Sequence, residues 1–225
     1  MGNTVGNSSA NFCDFYSSKA HAYVLGLWCA DGYHRTSSIG LSNINPQLIE
    51  KFLEFLKQGF NDERLRLKVY ISDSTPKDYL NFGVKTITVL YSKKARHIAY
   101  HLYVNSRGLL REFARAKQSP EKQFSNNEVA WCYMAGRFDG DGTIGKDLKR
   151  DLRISYTKKP EAEQDKLILE NLGLQLCKVY YYRTSSAYVL YISRNESKKF
   201  VENCFQHSVK LQKLAFESRR DLILV

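Results

Sequence analysis

Two stretches of the chain have the apolar pattern of a buried helix and end in the same way. Residues 22–32 read AYVLGLWCADG and residues 131–142 read WCYMAGRFDGDG. Each is apolar on nearly all sides and has small residues in its middle, which predicts two buried helices. Each also ends in Asp-Gly. The terminal acids, Asp31 and Asp141, are 110 residues apart, about half of the 225-residue chain, so the sequence contains an internal repeat.

The segments that follow the two helices match in their order. A short polar hairpin comes first, and then a strand in which apolar and polar residues alternate. A helix, two further strands and helices rich in lysine and arginine follow in both halves. The predicted strands are residues 38–43, 64–71 and 84–91 in the first half and 152–157, 177–183 and 187–193 in the second. The predicted helices are residues 46–58, 92–105 and 107–117 in the first half and 160–173, 195–207 and 209–223 in the second.

This order predicts an α+β fold made of two αββαββα half-domains related by a pseudo-twofold axis. Each half-domain is expected to hold a four-stranded antiparallel sheet, and the two halves to pack through the two helices lying parallel. The expected half-domains are residues 1–117 and 128–225. Residues 118–127 have the composition of a linker.

The charge of the chain favours an anionic partner. The formal net charge is +11 and the isoelectric point is about 9.4, which suits nucleic acid and also an acidic membrane surface. No run approaches the roughly 18 apolar residues of a spanning helix, and residues 1–11 lack the order of a signal peptide. The sequence therefore predicts an intracellular protein of the cytoplasm or of an organelle matrix or stroma.

Cysteine and histidine do not indicate a disulfide framework or a zinc site. The five cysteines are scattered and form no C-x-x-C pair. His97 and His101 fall on the helix expected at 92–105, without acidic companions, and are interpreted as surface or packing residues.

The two Asp-Gly ends need a chemical explanation. A carboxylate near the C-terminus of a helix faces an unfavourable dipole. If the helices pack side by side and parallel, Asp31 and Asp141 meet at one end of their interface and repel each other. Divalent metal ions would neutralise such a pair.

The sequences VLGLWCADG and MAGRFDGDG resemble the two motifs of a single-chain LAGLIDADG homing endonuclease, and the likeness in element order runs from about Phe12 onward. The resemblance implies a monomeric, intron-encoded, site-specific endonuclease that cuts both strands of a long, asymmetric DNA target and leaves short 3′ overhangs. It assigns Mg²⁺ to Asp31 with the carbonyl of Ala30, and to Asp141 with the carbonyl of Gly140. Mn²⁺ or Ca²⁺ can occupy the same sites, Ca²⁺ without cleavage.

The chain departs from the family pattern around these acids. The sixth motif position is commonly Asp; here it is Asp139 in one copy and Cys29 in the other, a position that packs or hydrogen-bonds and does not hold metal. The residues that order water near the metals are less well marked. The candidates are Asn43 and Thr157 for the polar position, and Lys117 and Lys213, with Lys210 and Lys93 as rivals, for the basic one.

The alternation along the strands also predicts the surface that contacts DNA. One face of each sheet should be apolar and buried, and the other basic and open to a duplex. The expected DNA-contacting residues of the first half are Arg35, Ser38, Ser42, Arg64, Arg66, Lys68, Tyr70, Lys85, Thr86 and Thr88. Those of the second half are Lys146, Lys149, Arg150, Arg153, Ser155, Thr157, Lys178, Tyr180, Tyr182 and Arg183.

Other functions remain open at this point. The same fold serves as an intron RNA maturase or as a DNA-binding protein without cleavage, although both motif acids are present here. The tyrosines of residues 180–182 would suit base stacking on single strands, but Tyr181 shares a face with Val179 and is expected in the core. A purely structural basic protein leaves the paired Asp-Gly ends unexplained.

Overall fold

The structure is a computed structural model of the chain and describes residues 12–35, 37–73, 78–93, 95–118, 124–144 and 151–214. Its contacts divide the chain into two compact units, Met1–Asp14 with Tyr33–Arg115 and Phe15–Gly32 with Ala116–Val225. Among the described residues no helix has the length and apolar character needed to cross a membrane. The half-domain and linker bounds expected from the sequence stay a prediction.

The described elements follow the predicted order closely. The helices are α1 Lys19–Asp31, α2 Pro46–Lys57, α3 Arg107–Gln118, α4 Asn127–Asp141, α5 Lys159–Asn171 and α6 Arg194–Cys204. The strands are β1 Gly32–Arg35, β2 Ser38–Asn43, β3 Leu65–Ile71, β4 Thr86–Tyr91, β5 Ala99–Asn105, β6 Gly142–Ile144, β7 Leu152–Tyr156, β8 Cys177–Tyr182 and β9 Ala187–Ile192. Residues 209–214 are also helical. This confirms the α+β fold class.

The first sheet has five strands, in the order β1-β2-β5-β3-β4. Its central strand, β5, lies within residues 92–105, for which a helix was predicted, and that prediction was wrong. Tyr100, Leu102 and Val104 point into the core in strict alternation, which is a strand period, and aromatic and β-branched side chains favour a strand. The basic residues just before this segment had suggested a helix.

The edge strand β4 also differs from the prediction of a purely antiparallel sheet. It pairs with β3 in parallel, with Leu67 opposite Ile87, so the first sheet has four strands that match the second sheet and one more at its edge. The second sheet has the expected four antiparallel strands, in the order β6-β7-β9-β8. The prediction of four antiparallel strands therefore holds for the second half only.

Both sheets bury one face, as the alternation predicts. In the first, Leu65, Leu67 and Val69 of β3 are buried, whereas Arg66 and Lys68 between them are partly exposed. In the second, Leu152 and Ile154 of β7 are buried. Helix α2 covers the apolar face of the first sheet, and α4 and α5 contact the strands of the second. We call the other side of each sheet its open face.

The start of α2 shows how local sequence sets an element. The side chain of Asn45 accepts a hydrogen bond from the backbone N–H of Gln47 at 3.0 Å, and Pro46 occupies the first turn. Both are favourable because the first N–H groups of a helix lack partners within it. The sequence around Asn45 and Pro46 therefore fixes where α2 begins.

His101 lies in β5, on the open face of the first sheet, and is not on a helix as expected. Its ring packs against Tyr33 and Tyr103, with centroid distances of 4.2 and 5.2 Å. The residue is buried, and its Nε2 has no hydrogen-bond partner among the described residues. Burial, together with the charges of Lys68 and Arg35, lowers the pKa of His101 to about 4.

The free energy of unfolding should therefore fall as the pH drops from about 6.5 to about 4. In this range the unfolded chain binds a proton on His101 that the folded chain does not, so acid favours unfolding. We expect this decrease to be about 2 kcal/mol smaller in the variant His101→Phe, which keeps an aromatic ring and cannot be protonated. Urea unfolding at several pH values between 7.5 and 4 measures it, and equal pH slopes in the two proteins would contradict it.

Candidate active site

Helices α1 and α4 form the centre of the second unit and lie side by side in parallel. The start of one helix contacts the start of the other, and the end contacts the end. Lys19 pairs with Glu128 near their starts, and Ala30 meets Gly140 at their ends. Nine residues of α1 and eleven of α4 are buried, as expected for helices that are apolar all round.

Two glycines allow the helices to approach each other closely. A methyl group added at Gly26 would lie 2.0 Å from the carbonyl oxygen of Tyr133, and one added at Gly136 would lie 2.0 Å from that of Tyr23. Gly26 and Gly136 occupy equal positions of the repeat, so the contact is symmetric. The small residues noted in the sequence thus serve backbone packing.

The close approach continues to the acid-bearing ends of the helices. A methyl group at Gly140 would lie 2.3 Å from the Cβ of Ala30 and 3.1 Å from Oδ2 of Asp31. The carboxylate of Asp31 therefore lies against the last turn of α4, one residue before Asp141. Both aspartates are partly exposed, so an ion from solvent can reach them.

Charged side chains of the second unit surround Asp141. Burial raises the pKa of Asp141, while the nearby cations Arg137 and Lys210 act in the opposite direction. Lys117 and Glu161 also lie in this environment and form an ion pair of 3.1 Å. Asp141 thus sits in a partly desolvated, electrostatically balanced position.

The donor set fits a divalent cation of the Mg²⁺ type. Two carboxylates and the backbone carbonyls at two helix ends are hard oxygen donors, which such cations prefer. Among the residues that the structure describes, no group of three or more His, Cys, Asp or Glu side chains could hold a metal.

Asp139 is fully engaged within the protein, as predicted for the sixth motif position. Its carboxylate accepts hydrogen bonds from the hydroxyls of Tyr23 and Ser208, both at 2.5 Å. It also accepts the backbone N–H groups of Val209 at 2.7 Å and Lys210 at 3.0 Å. An anion that binds the first N–H groups of a helix caps it, so Asp139 ties the helical residues 209–214 to α4.

In the first copy the corresponding residue is Cys29, a buried thiol whose pKa burial raises to about 11. The tyrosines at equal positions of the repeat donate to different carboxylates. Tyr23 donates to Asp139, whereas Tyr133 donates to Asp165 of α5 at 2.9 Å. The two copies thus differ in the polar contacts beside the site.

Arg137 is the centre of a buried ionic cluster that was not predicted from the sequence. Arg137 stands where the first copy has Leu27, and its Nε donates to Asp165 at 2.8 Å. Tyr156 donates to the same carboxylate at 2.8 Å, and its ring lies 4.5 Å from the guanidinium carbon. An arginine within an apolar helix was the available signal, because a buried charge requires a partner.

The candidate water-ordering residues lie in different places. Asn43 ends β2 in the first unit, and its side chain accepts the N–H of Asn45 at 2.7 Å. Thr157 is exposed just after β7, and Lys213 is exposed on the helical residues 209–214. Lys117 lies near Asp141 in the pair with Glu161. Of the candidates for the basic position, the structure places Lys117 and Lys210 near Asp141.

Lys210 contacts the C-terminal end of α4 directly. Its Nζ donates to the carbonyls of Phe138 at 3.1 Å, Gly140 at 3.4 Å and Gly142 at 2.7 Å. Burial lowers the pKa of Lys210, while the negative charges of Asp139, Asp31 and Asp141 act in the opposite direction. A cation at this end of a helix offsets the dipole that disfavours Asp141.

Most of the predicted DNA-contacting residues of the first half lie on the open face of the first sheet. The register places Ser42 and Lys68 beside His101, and Arg66 beside Thr86. Three of the candidates bind other parts of the first unit. The side chains of Arg64 and Arg66 donate to backbone carbonyls, and Lys85 forms an exposed ion pair with Glu63.

The open face of the second sheet has more strongly exposed tyrosines than that of the first. Arg153 pairs with Tyr191 of the neighbouring strand, and Lys178 lies opposite the same tyrosine. Tyr180 and Tyr182 share this face and are exposed. Thr157 and Arg183 lie beyond the strand ends, while Lys146, Lys149 and Arg150 are outside the described residues.

The expectation that Tyr181 is a core residue was wrong. It lies on the same side of β8 as Val179, but 54% of it is exposed. Its ring packs on Tyr188 of β9 at a centroid distance of 4.9 Å. The alternation of residues correctly predicted the side of β8 on which Tyr181 lies. It could not show whether helices cover the β8–β9 hairpin at that position.

The variant Gly136→Ala should fold poorly or lose about 3 kcal/mol or more of stability, because the added methyl group meets the backbone of α1. The control Gly108→Ala, at an exposed position of α3, should be neutral or slightly stabilising. Thermal unfolding followed by circular dichroism compares them. Equal melting temperatures would exclude the close helix contact.

The variant Asp139→Cys copies the residue of the first motif and should lose about 3 kcal/mol of stability. It leaves two buried hydroxyls and two N–H groups without their charged acceptor. The control Glu202→Cys makes the same change at an exposed position of α6 and should stay within about 0.5 kcal/mol of the wild type. Urea unfolding of both variants decides; a loss no larger than that of the control would contradict the capping role.

No family model and no curated protein sequence matches the chain, but solved structures do. The homing endonuclease I-DmoI in complex with DNA and Ca has a TM-score of 0.59 and 19% identity over 88% of this chain and 97% of the other. Its complex with DNA and Mn has a TM-score of 0.56 and 19% identity over 83% and 96%.

A third structure extends the comparison. The N-terminal LAGLIDADG domain of DUF199/WhiA has a TM-score of 0.54 and 14% identity over 83% of this chain and 82% of the other. Sequence identities this low do not show that this protein has the activity of the others. The shared architecture nevertheless covers most of each chain. With its parallel motif helices and its two sheets, this protein has the LAGLIDADG fold of I-DmoI and WhiA.

Proposed function

We propose that this protein is a site-specific DNA endonuclease that hydrolyses one phosphodiester in each strand of a duplex with the help of Mg²⁺. One observation carries the proposal. Asp31 and the end of α4 that bears Asp141 touch at one end of a parallel helix pair. Such packing brings two carboxylates to the same end of the helix pair, where a divalent cation would neutralise them. Similarity to the I-DmoI complexes with DNA and metal supports it.

The residues of the site have separate tasks in this proposal. Asp31 with the carbonyl of Ala30, and Asp141 with the carbonyl of Gly140, hold Mg²⁺. The bound ion activates water for in-line attack and stabilises the leaving oxygen. Asn43, Thr157, Lys117 and Lys213 are the proposed water-ordering residues. The ion pair of Lys117 with Glu161 fixes one of these beside Asp141.

The open faces of the sheets are proposed to read the DNA. Exposed cations and hydroxyls on strands can contact phosphates and base edges in the major groove. The first open face has Arg35, Lys68 and threonines, while the second has Arg153, Lys178 and the exposed Tyr180 and Tyr182. Because the two faces differ, the target should be asymmetric and long.

Several further properties belong to the same proposal. Two motifs in one chain support a monomer, since a single polypeptide supplies both acids. We also propose that the gene lies in an intron, that the breaks have short 3′ overhangs, and that the protein works inside the cell or organelle. Mn²⁺ should replace Mg²⁺, whereas Ca²⁺ should bind without cleavage.

The decisive prediction concerns the two aspartates. With Mg²⁺, the wild type should linearise plasmids from a substrate library, and EDTA should stop it. Asp31→Asn and Asp141→Asn should each lower the cleavage rate of one strand at least about a hundredfold, because even outer-shell partners of a metal change activity by 10- to 100-fold. Both variants should therefore nick, each in a different strand. Strand-labelled duplexes separate the two events.

The control Glu50→Gln removes a carboxylate from an exposed position of α2 and should leave both cuts unchanged. If the wild type cuts no duplex of the library with Mg²⁺ or Mn²⁺, the proposal is wrong. It is also wrong if Asp141→Asn still cuts both strands at the wild-type rate.

Intron RNA binding is a second candidate, favoured by the exposed tyrosines of β8. Tyr180, Tyr181 and Tyr182 are 44%, 54% and 41% exposed, so residues on both sides of this strand reach solvent. Exposed aromatic rings stack on unpaired bases. Tight binding to a structured intron RNA without any cleavage of DNA would favour this function.

A further inference from the structure

Lys210 contacts the backbone carbonyl oxygen of Gly140, which is a metal ligand in the proposed function. The Nζ of Lys210 lies 3.4 Å from the carbonyl oxygen of Gly140, and closer still to the carbonyls of Phe138 and Gly142. These three oxygens belong to the last turn of α4 and the residue after it. An ammonium group and a divalent cation placed here bind the same partial negative charge.

The lysine is held in place from its backbone as well as from its side chain. Asp139 accepts the backbone N–H of Lys210, and it also accepts the hydroxyl of Ser208, whose oxygen caps Leu211 at 3.1 Å. The residue is partly buried, so its ammonium cannot move freely into solvent. Asp139 therefore fixes Lys210 against the carbonyls that precede and follow Asp141.

The first copy offers no equivalent anchor at the sixth motif position. Cys29 replaces Asp139 there, and a buried, protonated thiol is a weak acceptor that carries no charge. Arg137, which replaces Leu27, adds a second cation near Asp141. Two positive side chains, Lys210 and Arg137, thus act on Asp141, and at the position of Arg137 the first motif has the uncharged Leu27.

We propose that Lys210 is a positioning residue that competes with the divalent cation for the carbonyl end of α4, so that it weakens cation binding at Asp141. The inference rests on the proposed function, in which the Gly140 carbonyl is a metal ligand. Like charges that share one acceptor repel each other. The Asp141 site then fills only at a higher metal concentration than it would without the lysine, and cleavage of its strand depends more steeply on that concentration.

Calcium binding to the full-length protein tests this without relying on cleavage. Isothermal titration calorimetry with CaCl₂ at low ionic strength should show about tenfold tighter binding at one site for Lys210→Met, which keeps most of the side-chain stem. The same variant should be less stable without metal, because the end of α4 loses its cap. Tighter binding together with lower stability is the expected combination. A lysine that only supports the fold would lower stability and leave the calcium affinity unchanged or weaker, and that result overturns the proposal.

A matched control comes from α6. Lys199 also donates to a carbonyl just beyond a helix end, that of Gly173 at 3.0 Å, and has no motif acid in its contact. Lys199→Met should change the calcium affinity less than about threefold. Lys210→Gln, a second variant without the charge, should tighten binding as Lys210→Met does. Lys210→Arg, which keeps the charge, should bind calcium about as weakly as the wild type.

The outcome also separates this inference from the proposed function. If Asp141→Asn binds calcium as the wild type does, or if the wild type binds none, the metal site of the proposed function is wrong. The proposed competition by Lys210 is then wrong as well. If the wild type binds calcium at Asp141 and neither Lys210→Met nor Lys210→Gln tightens it, the proposed function stands and the role of Lys210 is rejected.

Discussion

The contact between the backbones of α1 and α4 is the constraint on which the rest of the second unit depends. Gly26 and Gly136 lie so near the opposite helix that a single methyl group would overlap a carbonyl oxygen. Such a contact leaves no freedom to shift one helix along the other. It therefore sets which residues meet at the far end, and there Asp31 comes to lie against Gly140.

A carboxylate at the C-terminal end of a helix is unfavourable. The two motifs differ in the side chains that offset this effect. In the second motif, Lys210 binds the end of α4 and Asp139 binds the start of the helical residues that carry Lys210. Helix ends of opposite polarity are thereby joined through one acid and one base. The same contacts shape the surroundings of Asp141, so stability and chemistry depend on shared groups.

The sequence predicted the features that repeat and missed those that depend on tertiary contacts. Two helices that end in Asp-Gly, and strands such as β3 with alternating burial, follow from local periodicity. The segment of β5 was assigned to a helix because basic residues precede it, although its own alternation is that of a strand. The contact of Asp139 with Ser208 spans 69 residues, and no local pattern marks it. Arg137 was visible as a charge in an apolar helix, but its partner Asp165 could not be identified from spacing alone.

The exchange of Leu27 for Arg137 has a consequence for the origin and redesign of the chain. The guanidinium group needs the carboxylate of Asp165 and the ring of Tyr156, and these belong to the elements that follow α4. A transplanted copy of α4 would bury a charge wherever those partners are missing. If the two motifs arose by duplication, they were once interchangeable, and each now depends on the residues around it. A symmetric protein built from two copies of one half would therefore need new residues around this arginine position.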